Sequence, residues 1–253
     1  MKVTFLGTGT SQGVPVIGCD CAVCRSIDFK DKRLRCAIHL QIDQKSIVID
    51  TGPDFRQQML RSGISDLHAV LYTHEHKDHT AGLDDIRPFN FMHNRDIPVY
   101  GRKQVLQQLQ QEFAYIFAPQ KYPGIPRVLL REIDETPFEV EGISITPIKV
   151  MHHKLPVFGF RVGDFTYITD ANAIPDESKA KIRGSKILVI NALQQDPHIS
   201  HFTLEEAVEF AQEMKAEQTY FTHISHRMGL HHAVQKTLPT NIFLAYDGLS
   251  LEL

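Results

Sequence analysis

The sequence predicts one α/β domain with many strands, and three observations point there. The 253 residues can bury a large core and sit at the upper end of what one domain holds. Beyond about residue 176, helix and strand patterns alternate. No repeat of fixed period and no Gly/Ser-rich linker divides the chain.

The elements follow in order. Lys2 to Leu6 alternates polar and apolar residues and runs into Gly7-Thr8-Gly9-Thr10, a strand entering a tight loop. An irregular stretch extends to about Arg35. His39 to Ile42 and Ser46 to Ile49 read as strands joined by Asp43-Gln44-Lys45, the second ending in Asp50-Thr51-Gly52. Phe55 to Ser62 has helical spacing, and Gly63 closes it. Ala69 to Tyr72 is a short buried strand. Leu83 to Met92 reads as a helix, Pro98 to Tyr100 as a strand, and Lys103 to Phe113 as a helix whose glutamines form a solvated face. Ala118 to Arg127, with three prolines and a glycine, reads as a loop. Strands are expected over Ile143–Lys149, Phe158–Val162 and Phe165–Ile168, the last reaching Thr169-Asp170. Then come helix Asp176–Ile182, strand Ile187–Ile190, helix Thr203–Met214, strand Thr219–Thr222, helix His231–Leu238 and strand Ile242–Leu244.

Composition narrows the function. Apolar content of 42% and charged content of 23% are those of an ordinary globular protein. No apolar run is long enough to span a bilayer. Met1 to Leu6 lacks the parts of a signal peptide, so a cytoplasmic protein without a membrane partner is expected. The net charge of −3 gives no sign of the basic surface of a general nucleic-acid binder, although a local basic patch stays open.

The chemistry lies in Thr73-His74-Glu75-His76-Lys77-Asp78-His79, straight after the buried strand. Residues at i and i+2 of an extended segment point the same way, so His74 and His76 can reach one ion. A turn can redirect Asp78 and His79 to a second. Imidazole and carboxylate donors suit zinc, manganese or iron. The alternative, four polar residues in a solvated turn, fits poorly with four donors in six positions.

This His-x-His-x-Asp-His pattern resembles the signature of the metallo-β-lactamase superfamily, and the resemblance extends over nearly the whole chain. It implies an αββα sandwich, two mixed sheets flanked by helices, with metals at one edge. It further implies His74, His76 and His152 on one divalent ion, Asp78, His79 and His223 on the other, and Asp170 between them. His153 competes with His152, which is favoured. Asp50 resembles the family's first-motif aspartate and is expected to orient the metal loop by hydrogen bonds. The histidine pattern is the hydrolytic one and no flavin domain is present, so the resemblance implies a hydrolase.

Cys19, Cys21 and Cys24 place three thiols within six positions, which suggests a metal more than a disulfide. Ordinary reduced thiols are the other reading. Together with Gly7 to Pro15, the cluster resembles the branch that contains the phosphoribosyl cyclic phosphodiesterase of the carbon–phosphorus lyase pathway. That branch implies a structural zinc on Cys19, Cys21, Cys24 and His226, a catalytic histidine at His201 with His198 as its competitor, and a homodimer as one option. Cys36 stands apart and reads as a small semi-buried residue.

The resulting expectation is hydrolysis of a small phosphodiester, a cyclic ribose phosphate among the options, by a hydroxide held between two zinc or manganese ions. Asp78 would orient the water or accept its proton, and His201 would protonate the leaving oxygen or bind the phosphate. A tRNA 3′-processing ribonuclease, a thioester or lactone hydrolase, and a non-catalytic metal-binding protein are the alternatives.

Overall fold

The computed structural model describes residues 1–119 and 122–253; part of the loop expected over Ala118–Arg127 lies outside these residues. Among the described residues, fourteen strands form two sheets of seven. The first sheet contains β1 (Lys2–Gly7), β2 (Ala37–Ile42), β3 (Lys45–Ile49), β4 (Ala69–Leu71), β5 (Ile97–Gly101) and β6 (Val128–Glu132). The second contains β7 (Phe138–Val140), β8 (Ile143–His152), β9 (Leu155–Val162), β10 (Phe165–Tyr167), β11 (Ile187–Asn191), β12 (Gln218–Thr222) and β13 (Ile242–Leu244). The chain then returns to the first sheet as β14 (Ser250–Glu252).

The orders are β14-β1-β2-β3-β4-β5-β6 and β13-β12-β11-β10-β9-β8-β7. Each sheet is mixed: β14 to β3 pair antiparallel and β3 to β6 parallel, while β7 to β10 pair antiparallel and β10 to β13 parallel.

The period-2 alternation of the strands explains the layers. Val3, Phe5, Ile47 and Ile49 point between the sheets, where they meet Phe158, Phe160, Tyr167 and Val189. Leu6, Val48 and Val70 point outward to Phe55 and Met59 of helix Phe55–Ser62 and to Val105 and Leu109 of helix Lys103–Glu112. On the opposite outer face, Leu188 and Ile190 meet Ala207, Phe210 and Ala211 of helix Leu204–Met214. Helix, sheet, sheet and helix therefore stack as the αββα sandwich of the metallo-β-lactamase fold.

Several elements depart from the sequence expectation. The helix expected over Leu83–Met92 is a 3₁₀ turn, Leu83–Ile86, followed by helix Arg87–His93. Pro88 lacks an N–H and sits in the first turn of that second helix. The helix from His231 stops at Gln235, four residues before Pro239. Strands β6, β7 and β14 are additional. They lie at sheet edges, and their sequences (VLLRE, FEV and SLE) carry the charges that edges tolerate, which blurs the hydrophobic pattern.

Candidate metal centre

The candidate residues leave from the ends of strands. Asp50 follows β3, and His74 comes three residues after β4. His152 is the last residue of β8. Asp170 comes three residues after β10, and His223 directly follows β12. Asp50, Asp170 and His223 adopt left-handed φ values of 67°, 56° and 55°. That region is sparsely populated for residues other than glycine, and each such residue costs about 1–3 kcal/mol. The conformation turns each side chain sharply away from its strand.

Two groups of donors result. His74, His76 and His152 each offer a donor atom, and these lie within 4.8 Å of one another; the same holds for Asp78, His79, Asp170 and His223. Asp170 stands between the groups, its carboxylate 3.2 Å from both His79 and His223 and 4.0 Å from His74. His153 lies outside both groups. It occupies the exposed two-residue turn between β8 and β9, at φ 55°, with its N–H donating to Asn172 Oδ1 at 2.7 Å.

Hydrogen bonds set the ring orientations. Nδ1 of His79 lies 2.7 Å from Asp50 Oδ2, Nδ1 of His152 2.9 Å from the Ser200 carbonyl, and Nδ1 of His74 2.9 Å from Thr73 Oγ1. Each ring is thereby held on its Nδ1 side and presents Nε2 to the centre, as metal-binding imidazoles do. His79 Nε2 and both His223 nitrogens are buried without a hydrogen-bond partner, an arrangement that a cation would resolve. The donor set therefore fits divalent metal ions.

Asp50 carries the loop. Its oxygens accept from Thr73 N at 2.9 Å and Thr73 Oγ1 at 2.8 Å as well as from His79. The following turn packs backbone to backbone against the metal loop. A Cβ at Gly52 would lie 2.1 Å from the Asp78 carbonyl oxygen, and one at Gly82 would lie 2.3 Å from the Gly52 oxygen, so both positions require glycine.

The centre is rich in negative charge. Burial pushes the Asp170 carboxyl up, but His223, His79 and His201 around it outweigh this and hold it well below the usual carboxylate range. His79 is fully buried, which disfavours its charge, yet Asp78, Asp170 and Asp50 together hold its pKa well above the ordinary value. His74, by contrast, is pushed well down by burial. Three carboxylates that retain a proton on one imidazole offer the charge a cation needs.

His201 sits beside this cluster. Its Nε2 is 3.0 Å from Asp170 Oδ1, and its ring stacks on His223 with centroids 4.9 Å apart. Burial lowers its pKa to about 4. His198 is exposed, with Nδ1 3.2 Å from that of His201. Thr203 caps the next helix through a capping box with Glu206, whereas Ser200 does not cap it.

The second cluster joins Cys19, Cys21, Cys24 and His226, whose donor atoms lie within 4.8 Å of one another. The three sulfurs are 3.2, 3.5 and 3.6 Å from His226 Nδ1. A tetrahedral zinc with Zn–S near 2.3 Å and Zn–N near 2.0 Å spaces sulfur and nitrogen by about 3.5 Å, so this set fits zinc. The Cys24 N–H lowers the Cys21 thiol to about 6, and burial raises Cys24 to about 11.

The supporting roles of three residues escaped the sequence reading. Cys36 is fully buried, correcting the semi-buried expectation; its sulfur lies 3.2 Å from Tyr167 Oη and 3.1 Å from Thr222 Oγ1, beneath the strand ends that carry Asp170 and His223. Asn191 clamps Ala171, the residue after Asp170, accepting from its N–H at 2.7 Å and donating to its carbonyl at 2.9 Å. Asn172 ties the His153 turn to the Ile199 carbonyl. An isolated asparagine or cysteine gives no periodic signal, so nothing marked them.

Comparison with known proteins gives the setting. A family profile described as a beta-lactamase superfamily domain matches residues 45–224. The chain is 39% identical over 252 residues to an octanoyltransferase of Porphyromonas gingivalis (strain ATCC BAA-308 / W83); the match covers 98% of this chain and 51% of that protein, so the chain spans about half the length of that relative. Among solved structures, a new diphosphatase from the PhnP family superposes with a TM-score of 0.93 at 43% identity, over 100% of this chain and 97% of that one. Zinc-bound PqqB from Methylobacterium extorquens shares the fold, with a TM-score of 0.81 at 19% identity and full coverage of both chains. On the profile match and the 43% identity, the chain belongs to the beta-lactamase superfamily and, within it, to the PhnP family of metallo-β-lactamase-fold hydrolases.

Proposed function

We propose that this chain hydrolyses a small phosphodiester at a centre of two divalent cations. The observation that carries the reading is the pair of adjoining donor groups, His74/His76/His152 and Asp78/His79/His223, with Asp170 between them and His201 against Asp170. The two groups would hold zinc or manganese. When bound, such ions supply Lewis-acid charge stabilisation and make a water nucleophilic near neutral pH.

The chain's own residues do the rest. Asp50 and Thr73 keep the His79 and His74 rings turned toward the centre. The Asp78 carboxylate orients the attacking water and accepts its proton. His201, with Nε2 3.0 Å from Asp170 Oδ1 and held neutral by burial in the free protein, would bind the phosphate or pass to the leaving oxygen a proton released by the attacking water. Burial of His74, His79 and Asp170 keeps the donors dry and rigid. Cys19, Cys21, Cys24 and His226 would hold a structural zinc that pins the N-terminal loop.

The 43%-identical structure is that of a diphosphatase, which favours phosphorus chemistry at this centre. The octanoyltransferase name belongs to a protein about twice this length and lends no acyl-transfer proposal to this chain.

Initial rates on a panel test the reading: a ribose cyclic phosphate, an aryl phosphodiester, a nucleoside diphosphate sugar, a phosphomonoester, a thioester and a tRNA precursor. Turnover of one or more diesters without the monoester is expected, with His201→Ala lowering kcat about 10²–10⁴-fold. Preference for the thioester or the tRNA precursor, or no effect of His201→Ala, contradicts it.

A further inference from the structure

Two of the left-handed turns at the metal centre share one support. Asp170 and His223 have φ values of 56° and 55°, and each is preceded by a fully buried threonine, Thr169 and Thr222. Both threonine hydroxyls reach the same atom, the sulfur of Cys36, at 3.9 Å and 3.1 Å. The Tyr167 hydroxyl meets it as well, at 3.2 Å.

These four side chains form a thin polar layer between the sheets. Cys36 directly precedes β2 of the first sheet, whereas Tyr167 ends β10 and Thr222 ends β12 of the second. On one side of the layer lies the apolar core, to which Cys36 and Tyr167 also belong. On the other lie the metal-type donors. Thr169 Oγ1 donates to Asp170 Oδ2 at 2.6 Å, and His223 follows Thr222 in the chain.

The sulfur is what holds the layer together. Among the described residues, Tyr167 Oη and Thr222 Oγ1 make no other side-chain hydrogen bond. Burying a hydroxyl without a partner is costly, so each strand end is held where its hydroxyl reaches the thiol. Cys36 belongs to none of the groups that could hold an ion, and it reaches those groups through Thr169 and Thr222. A left-handed turn at a residue other than glycine persists only where its surroundings over-determine it. The layer supplies that constraint to Asp170 and His223 from the opposite sheet.

We propose that Cys36 is a positioning residue for the metal centre. With Tyr167, Thr169 and Thr222 it fixes the pose in which Asp170 Oδ1 lies 3.2 Å from His223 Nε2. The proposal rests on the two-cation reading of the centre and is independent of the substrate. Serine shares part of the required property, since it keeps a donor and an acceptor on a shorter reach. Valine fills the space and offers neither.

Cys36→Val, Cys36→Ser and Tyr167→Phe test the role in the full chain. Manganese affinity is read from free Mn²⁺ by electron paramagnetic resonance, beside the melting temperature of each variant without manganese. Manganese prefers carboxylate to thiolate donors, which keeps the cysteine cluster out of the reading. Cys36→Val should bind manganese about tenfold more weakly at a near-native melting temperature. Cys36→Ser should recover part of that loss, and Tyr167→Phe, which keeps the packing, should show a smaller one. Should Cys36→Val fail to fold, Tyr167→Phe decides alone: weaker binding at a native melting temperature upholds the role, and unchanged binding ends it. Wild-type affinity in both Cys36→Val and Tyr167→Phe, or a loss that follows the melting temperature from variant to variant, would overturn the role and leave the two-cation reading standing. A wild-type chain that binds no manganese would overturn both.

Discussion

The two clusters of metal-type donors are built in opposite ways. The His/Asp centre draws its donors from the ends of strands in both sheets, and its rings are held by Asp50, Thr73 and Ser200 before any ion arrives. The cysteine cluster draws three of its four donors from one loop, where a four-residue helix and a small apolar group of Val14, Val23 and Cys24 supply little packing. In the first case the fold makes the site. In the second, a bound ion would make the local fold, as in small zinc modules. Damage to the first should therefore cost chemistry and spare the fold, and damage to the second should do the reverse.

The largest expected effect is at the shared carboxylate. Asp170→Ala should lower hydrolysis about 10³-fold or more while circular dichroism stays native, because the carboxylate that stands between the two donor groups is lost and the strands remain. A native-like rate in this variant breaks the comparison at its strongest point. Asp50→Asn comes next. It leaves the donors in place but weakens the hold on the His79 ring, and a chelator titration should show metal affinity reduced about 10–100-fold. Cys24→Ser sharpens the contrast from the other side. Thermal unfolding should fall by roughly 5–10 °C and limited proteolysis should cut within the loop before Arg35, with kcat on an aryl phosphodiester changed only about threefold or less.

The smallest effect concerns a histidine in neither cluster. Burial lowers His39 to about 4, and its Nε2 lies 2.8 Å from Ser46 Oγ. Its folded pKa lies below the unfolded value of 6.5, so the unfolded chain binds the extra proton as pH falls. The stability it contributes is complete above pH 6.5 and is lost as pH drops toward 4. Urea midpoints across that window should decline in the wild type and decline less in His39→Gln.

How much of this was legible in the sequence depends on how locally each part is written. His74, His76, Asp78 and His79 are contiguous and follow an apolar strand, so their convergence could be read directly. His152, Asp170 and His223 were reachable because strand ends can be located and the family order supplied the rest. The left-handed turns at Asp50, Asp170 and His223 left no mark, since tertiary contacts impose them on residues other than glycine. The same holds for Cys36 and Asn191, whose roles exist only once β10, β11 and β12 lie side by side. The edge strands β6, β7 and β14 were hidden by their charges, and they touch neither cluster.

The most direct test of two independent metal-type sites is the metal-to-protein ratio of the wild type, Cys24→Ser and Asp170→Ala, each measured by elemental analysis alongside its hydrolysis rate. The account predicts close to three divalent ions per wild-type chain. It predicts close to two in Cys24→Ser with hydrolysis retained, and retained zinc with lost hydrolysis in Asp170→Ala. A wild-type chain carrying one ion, or a Cys24→Ser variant that loses all its metal and its activity together, would contradict it.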